Sequence, residues 1–181
     1  MADTETSIAT LLATNFADGQ AAGEITPQDM RDLIISLESA YGGYYISSAS
    51  ATTIAAVDTP VKVAGTTTAF GSLNGFTMPT DNRMLNAGTG TRICQVQAAI
   101  SFTSANNNKV YGFMIAKNGT VEANSEVQHK VGTAADVQGL TIAWQVSLDA
   151  TDYLEVWVQN RTDGDNPTIT LMTVSVEGHI V

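Results

Sequence analysis

The spacing of apolar residues changes near residue 43, and this change divides the chain into two parts. Between residues 7 and 41, apolar side chains recur three or four positions apart, which is typical of amphipathic helices. Between residues 44 and 181, they alternate with polar residues in short runs separated by Gly, Asn, Asp and Thr, which is typical of strands. The pattern predicts a helical N-terminal arm over residues 1–43 and a β body over residues 44–181.

The best-defined helix is predicted over residues 25–41. Thr26 is suited to the N-cap, and Asp29 three positions later can complete a capping box. Gly42 and Gly43 are expected to end the helix. The apolar side chains form a single stripe, and they are the predicted docking residues of the arm: Ile25, Met30, Leu33, Ile34, Leu37 and Tyr41.

A second, weaker helix is predicted over residues 7–16. Helices this short are marginal in water, so both apolar stripes must be buried against something. Three interpretations remain open at this point. The stripes pack against the β body or between copies of the chain, they dock onto a larger scaffold, or the arm is disordered.

The β body contains repeated alternation and clear turn signals. Residues 93–103 and 140–148 each alternate five times, and Asn118-Gly119 is typical of a tight hairpin turn. About eight to ten strands are predicted from eleven candidate stretches, two of which can merge. The stretches cover residues 44–50, 52–57, 61–64, 76–78, 83–85, 93–103, 109–117, 121–129, 140–148, 153–159 and 168–180. Short strands at this density predict a mostly β fold, a two-sheet jelly-roll sandwich preceded by the helical arm.

Two predicted strands are apolar on both faces, at residues 109–117 and 153–159. One face of each can line the core of the sandwich. The other must be covered by a loop, the arm or another subunit, because a monomer rarely exposes a large apolar patch. Self-association is the simplest cover, and its candidate contact residues are the aromatic side chains Tyr111, Phe113, Tyr153 and Trp157.

The charge of the chain excludes some partners. There are 18 acidic and 8 basic residues, giving a formal net charge of −10. A chain this acidic repels phosphate backbones, so we expect no nucleic-acid partner. No apolar run is long enough for a membrane span, and the first residues lack the pattern of a signal peptide. The single cysteine, Cys94, permits no intrachain disulfide.

Candidate chemistry is sparse. The two histidines, His129 and His179, are more typical of edge or exposed positions than of a catalytic base. Asp163 and Asp165 have oxygen ligands that Ca²⁺ accepts, yet an acidic turn between strands is the more common arrangement. We therefore predict no catalytic residue, no cofactor and no metal, and we do not expect an enzyme.

Three stretches resemble a known class of proteins. Residues 59–67 are similar to an early strand and turn of bacteriophage virion proteins. Residues 152–160 also resemble a stretch of bacteriophage virion proteins, and they are similar to a late strand of trimeric jelly rolls of the tumour-necrosis-factor and complement type. Residues 25–33 resemble a helical motif that precedes the heads of phage tail-fibre, head-fibre and capsid-decoration proteins. The resemblance implies a homotrimeric jelly roll on a phage particle.

This resemblance implies a structural role in the virion, which is assembled in the host cytoplasm. The leading hypothesis is a trimeric capsid decoration or cement protein that binds the major capsid protein outside the head and stabilises it. The alternative is the receptor-binding module of a head fibre or tail fibre. That module would recognise a host glycan or protein through the loops at residues 104–108 and 132–136, and its partners on the particle would be tail or fibre proteins.

Overall fold

Two antiparallel sheets packed face to face, preceded by one short helix, confirm the predicted fold class. The computed structural model describes Thr10, Ala13, residues 25–37 and residues 39–181. The helix predicted over residues 7–16 lies outside these residues except for Thr10 and Ala13. In the part of the chain that is described, no helix has the length and apolar character needed to cross a membrane.

From residue 25 onwards, the described part of the chain contains one α-helix, then thirteen strands, with a short 3-10 helix (Ala123–Ser125) between the ninth and tenth strands. They are α1 (Pro27–Leu37), β1 (Ala40–Ser48), β2 (Ser50–Ala51), β3 (Val61–Lys62), β4 (Thr66–Ala69), β5 (Phe76–Thr77), β6 (Met84–Asn86), β7 (Arg92–Ser104), β8 (Lys109–Lys117), β9 (Thr120–Val121), β10 (Val127–Val131), β11 (Gln138–Leu148), β12 (Tyr153–Asn160) and β13 (Pro167–Ile180). The first sheet has the order β11-β7-β13-β1-β4, with β2 beside β13. The second sheet has the order β10-β8-β12-β6-β5, with β3 beside β12 and β9 beside β8.

The core lies between the two sheets and follows the alternation of the sequence. On β7 the side chains from Cys94 to Phe102 are buried at every second position, as predicted. Phe102 packs against two aromatic rings of the second sheet, with ring centroids 4.9 Å from Phe113 and 5.5 Å from Tyr111. Burying each such side chain stabilises the fold by about 1.5–3 kcal/mol, so these contacts hold the sheets together.

The start of α1 has the predicted cap. The backbone N–H of Thr26 donates to the Asp29 carboxylate at 2.7 Å, and the N–H of Asp29 donates to the Thr26 hydroxyl at 3.2 Å. These reciprocal bonds satisfy two donors that a helix start would otherwise leave free.

The predicted end of this helix was wrong. The helix ends at Leu37, and Gly42 and Gly43 lie within β1. A Cβ on Gly43 would lie 2.2 Å from the ring of Phe70, and one on Gly42 would lie 3.1 Å from the Met84 sulfur. The two glycines allow close packing on both faces of a strand and do not cap a helix.

The long strand β13 separates two ends of the body. Its 14 residues span about 45 Å. Near one end, Gly178 pairs with Ala40, directly after the helix, and we call this the arm end. At the other, Pro167 pairs with Ser104 beside the loops at residues 104–108 and 161–166, and we call this the loop end. The helix α1 and these loops therefore lie at opposite ends of the sandwich.

Candidate subunit interface

The outer surface of the first sheet is built from small and uncharged side chains. We call this surface the first-sheet face. Its members are Gln95, Gln97, Ala99 and Ser101 on β7, Gly139, Thr141, Ala143 and Gln145 on β11, Leu171, Thr173, Ser175 and Glu177 on β13, and Tyr41, Gly43 and Tyr45 on β1. They are the outward positions of strands whose inward positions form the core, so the same alternation that specifies the core also specifies this face.

The strand register arranges these side chains in rows across the sheet. One row runs through Thr173, Ala99 and Thr141, and Ala99 lies near the centre of the face. Glu177, which pairs with Gln95 towards the arm end, is the only formally charged member. An exposed sheet surface of this size normally carries charged side chains that keep it soluble, and their near-absence indicates a surface that is covered.

The face is not featureless. A depression of about 320 Å³ lies between Ala99, Ser101, Gly139 and Thr141. Beside it projects Leu171, which is 54% exposed and follows an irregularity in the pairing of β13 with β7. A projecting apolar side chain next to a hollow lined by small residues gives this surface a shape that a complementary partner surface can fit.

Aromatic rings border the face along β1. The rings of Tyr45 and Phe70 stack with centroids 6.4 Å apart and planes 20° apart. Gly43 leaves the room that the Phe70 ring occupies. Tyr41 and Tyr45 are 49% and 39% exposed, which is high for large aromatic side chains. Aromatic side chains of this kind are enriched in contacts between proteins.

The outer surface of the second sheet, which we call the second-sheet face, has the opposite character. Glu155 on β12 is only 2% exposed and accepts hydrogen bonds from Arg83 at 2.8 Å and from the Trp157 indole at 3.0 Å. The Lys62 ammonium lies 3.5 Å from the same carboxylate. The Arg83 guanidinium also lies over the Tyr153 ring, 3.8 Å from its centroid. Charged and aromatic groups of one chain thus satisfy each other here.

The predicted contact residues Tyr111, Phe113, Tyr153 and Trp157 fall into two pairs. Tyr111 and Phe113 are fully buried inside one chain, so they cannot reach a neighbouring chain, and this part of the prediction is corrected. They point inward because the inward side of β8 faces Phe102. Tyr153 and Trp157 are half-buried on the second-sheet face, and their role in a contact stays a prediction.

The predicted stripe of the arm is mostly exposed to solvent. The exposed fractions are 45% for Ile25, 46% for Met30, 55% for Ile34, 59% for Leu37 and 49% for Tyr41. Leu33 is half-buried. Five large apolar side chains with half their surface in water need a partner beyond the contacts described within the chain. Their role in docking stays a prediction.

The acidic turn at the loop end contains its own cation. The Lys109 ammonium pairs with Asp163 and lies 3.0 Å from Asp165, and the Asn106 amide donates to Asp165 at 2.7 Å. The hydrogen bond from Lys109 lowers the pKa of Asp163. Among the residues that the structure describes, no cluster of three or more His, Cys, Asp or Glu side chains could hold a metal ion.

The histidines show no catalytic geometry. His129 Nε2 pairs with the Gln138 amide oxygen at 2.7 Å. His179 Nδ1 lies 3.3 Å from the Ser39 hydroxyl, while its Nε2 lies 3.9 Å from Glu177. A Ser–His–acid arrangement needs hydrogen bonds shorter than this second distance and a shielded site. His179 and Glu177 are both 64% exposed, so this group falls short of a triad.

Comparison with known proteins places the fold. No protein-family model matches the sequence, and no curated protein does. Among solved structures, murine APRIL at pH 5.0 aligns over 77% of this chain and 99% of its own, with 8% identity and a TM-score of 0.51. Eiger TNF from S. frugiperda aligns over 77% of this chain and 90% of its own, with 14% identity and a TM-score of 0.44. PRD1 vertex protein P5 aligns over 78% of this chain and 97% of its own, with 14% identity and a TM-score of 0.49. The body therefore has a jelly-roll fold similar to that of APRIL.

Proposed function

We propose that this chain is a structural protein of a phage virion that acts as a homotrimer and decorates the outside of the head. The observation that carries the proposal is the first-sheet face, which is uncharged apart from Glu177 and bordered by aromatic rings. Such a surface fits a second copy of the same chain better than it fits water. The resemblance of residues 25–33, 59–67 and 152–160 to virion proteins supports the particle as the setting.

The trimer would act by multivalent attachment to the major capsid protein. Each trimer carries three arms, and the pairing of Ala40 with Gly178 puts every arm at the same end of its body. Once one arm is bound, the other two bind at a high effective concentration, so weak single contacts add up to stable attachment. Attachment to several coat subunits at once resists their separation and stabilises the head.

The second-sheet face is suited to point outward in such an assembly. Its charged groups are paired within the chain, as in the Glu155 cluster with Arg83 and Lys62. The net charge of −10 keeps trimers apart and keeps a coated particle in solution. No part of this role requires catalysis, a cofactor or contact with nucleic acid.

Imaging of particles with and without this protein tests the proposal. Decoration predicts hundreds of copies in regular positions on the head, and earlier rupture of particles that lack them on heating. Density at the tail only, or no change in rupture temperature, would contradict the decorating role. The matched control is a particle reconstituted with a variant that lacks residues 1–39 and retains the β body.

A receptor-binding module is the second candidate, and one observation favours it. The loop end is braced by side chains: the Ile54 N–H donates to the Asn166 side chain at 2.8 Å, and the Ser104 and Tyr111 hydroxyls lie 3.0 Å apart. Rigid loops opposite an anchored arm can recognise a host glycan or protein. This function predicts only a handful of copies per particle and loss of host adsorption when residues 104–108 are replaced.

A further inference from the structure

The exposed stripe of α1 lies next to the first-sheet face. The helix ends at Leu37 and β1 begins at Ala40, so few residues separate them. Tyr41 belongs to both surfaces, because it continues the stripe in sequence and pairs with Glu177 on the first-sheet face. The Ser39 hydroxyl, between helix and strand, lies 3.3 Å from His179 near the end of β13. The helix is thereby tied to the first sheet at the arm end.

The size of the first-sheet face shows why the stripe matters. Four strands and four rows of outward side chains cover roughly 500 Å², given about 4.8 Å between strands and 6.8 Å between rows. Each partner in a stable interface of standard size contributes about 800 Å². The apolar side of an 11-residue helix adds roughly 160 Å². The stripe therefore enlarges the footprint of the face by about a third and brings it closer to the size of a standard interface.

Charge also favours a copy of this chain as the partner. Met30, Ile34 and Leu37 are uncharged, like the first-sheet face, while Asp29 and Asp32 lie elsewhere on the helix and are half-buried. A copy of the same chain offers a nearly uncharged surface, its own first-sheet face, next to its own arm end. A basic coat surface would instead be drawn to the acidic side of the helix.

We infer that neighbouring copies of this chain cover the stripe formed by Met30, Ile34 and Leu37 of α1 and Tyr41 of β1, which makes the helix part of the subunit interface. This inference rests on the proposed homotrimer and divides its arm into two parts. The α1 part joins the three copies to each other. Attachment to the coat then falls to the sequence before residue 25, which carries a second apolar set that includes Leu11, Leu12 and Phe16.

Labelling of an engineered thiol tests the inference on the full chain. The test variant is Leu37→Cys. The matched control is Val137→Cys, because Val137 is an apolar residue of the body that is 68% exposed. The native Cys94 is a weak background, because burial raises the pKa of its thiol to about 11 and shields it from reagent. The readout is the rate of reaction with a maleimide, measured on the assembled protein and on a monomer produced by adding Ala99→Arg.

The inference predicts that Leu37→Cys reacts at least about tenfold more slowly in the assembled protein than in the monomer, because a covered thiol must wait for opening. Val137→Cys should react at the same rate in both. Fast labelling of Leu37→Cys in the free trimer would overturn the inference and leave the coat as the partner. Slow labelling in both states would also overturn it, since residues of the same chain would then cover the stripe. A monomeric mass for the unsubstituted protein would instead contradict the proposed function itself.

Discussion

The two outer faces of the sandwich differ in how their side chains are satisfied. On the second-sheet face, Glu155 bonds to Arg83 and Trp157, and Glu126 pairs with Arg161, all within one chain. On the first-sheet face, the outward side chains from Gln95 to Ser101 and from Gly139 to Gln145 have neither charge nor such partners of opposite charge. The first arrangement is complete in a monomer, whereas the second is what we expect of a surface that another chain covers.

This difference separates stability from assembly. Changes on the second-sheet face should alter the unfolding of a single chain, because its contacts are internal. Changes to the β7 and β11 side chains of the first-sheet face should alter the association of chains and leave the fold intact, because these side chains support little of the core. Gly43 on β1 contributes to both, because it leaves room for the Phe70 ring.

The largest effect is expected from Ala99→Arg at the centre of the first-sheet face. Burying an unpaired charge in a contact costs about 3–5 kcal/mol, so the dissociation constant of the assembly should rise by at least about 100-fold. Sedimentation equilibrium measures it. The control is Gln128→Arg on the second-sheet face, where Gln128 already donates to Glu126 at 3.3 Å and the new charge finds an acidic neighbour. Equal dissociation of both variants would show that the two faces do not differ in this way.

A smaller effect, on stability and not on assembly, is expected from Glu155→Gln. The change leaves the charges of Arg83 and Lys62 without their buried partner, so we expect the free energy of unfolding to decrease by about 2 kcal/mol. This decrease is smaller than for a fully buried pair, because both cations reach solvent. Urea unfolding measures it. Asp58→Asn, which removes a carboxylate 56% exposed and paired with Arg161, should cost no more than about 1 kcal/mol. A loss of the trimer in Glu155→Gln would place this cluster in the subunit contact.

Gly43→Ala should lower the free energy of unfolding by about 1–3 kcal/mol. The added methyl group would overlap the Phe70 ring and lie 2.5 Å from the Val174 carbonyl oxygen. It should also weaken association, since Phe70 would leave its place against Tyr45. Thermal melting and light scattering measure the two effects. Gly132→Ala is the control, because Gly132 lies outside the first-sheet face and its Cβ would meet nothing within 4 Å. Unchanged association in Gly43→Ala would exclude the aromatic border from the contact.

The smallest effect concerns acid. A hydrogen bond from Arg161 holds the pKa of Glu126 below its ordinary value of 4.5. A lowered carboxyl pKa stabilises the folded state above the ordinary value, and this stability is lost as the pH falls through the folded-state value. We therefore expect the free energy of unfolding to decrease by on the order of 1 kcal/mol when the pH is lowered past about 4.5, with a matching decrease in melting temperature. The decrease should be smaller in Glu126→Gln. A decline that is identical in both proteins would assign the acid sensitivity to other groups.

Alternation in the sequence predicted the inward residues well and the covered outer surface poorly. Residues 93–103 and 140–148 lie in strands with the expected faces, because period-two burial is a direct consequence of strand geometry. Residues 109–117 are buried on both sides, and the sequence pattern favoured a neighbouring chain over a loop or the arm as the cover of the outer side. The structure shows cover from the same chain: Gln159 lies over Met114, and Glu126 fills the space at Gly112. Periodicity reports that a side chain is buried and not which chain buries it.

Two further differences have local causes. The strand predicted over residues 52–57 does not form, because its backbone donors bind at the loop end, where the Thr52 N–H donates to the Pro167 carbonyl and the Ile54 N–H to Asn166. The first-sheet face was visible in the sequence as outward Gln, Ala, Ser and Thr without charge. It was not predicted, because the prediction relied on large aromatic side chains as the sign of a contact. Small residues that permit close approach are a weaker sign.

The molar mass of the full chain in dilute neutral buffer tests the central claim most directly. If copies of this chain cover the first-sheet face, light scattering at micromolar concentration gives three times the chain mass of 19.0 kDa, and Ala99→Arg gives a single folded chain. A mass of 19.0 kDa for the unsubstituted protein, or a trimer that survives Ala99→Arg unchanged, would contradict the account.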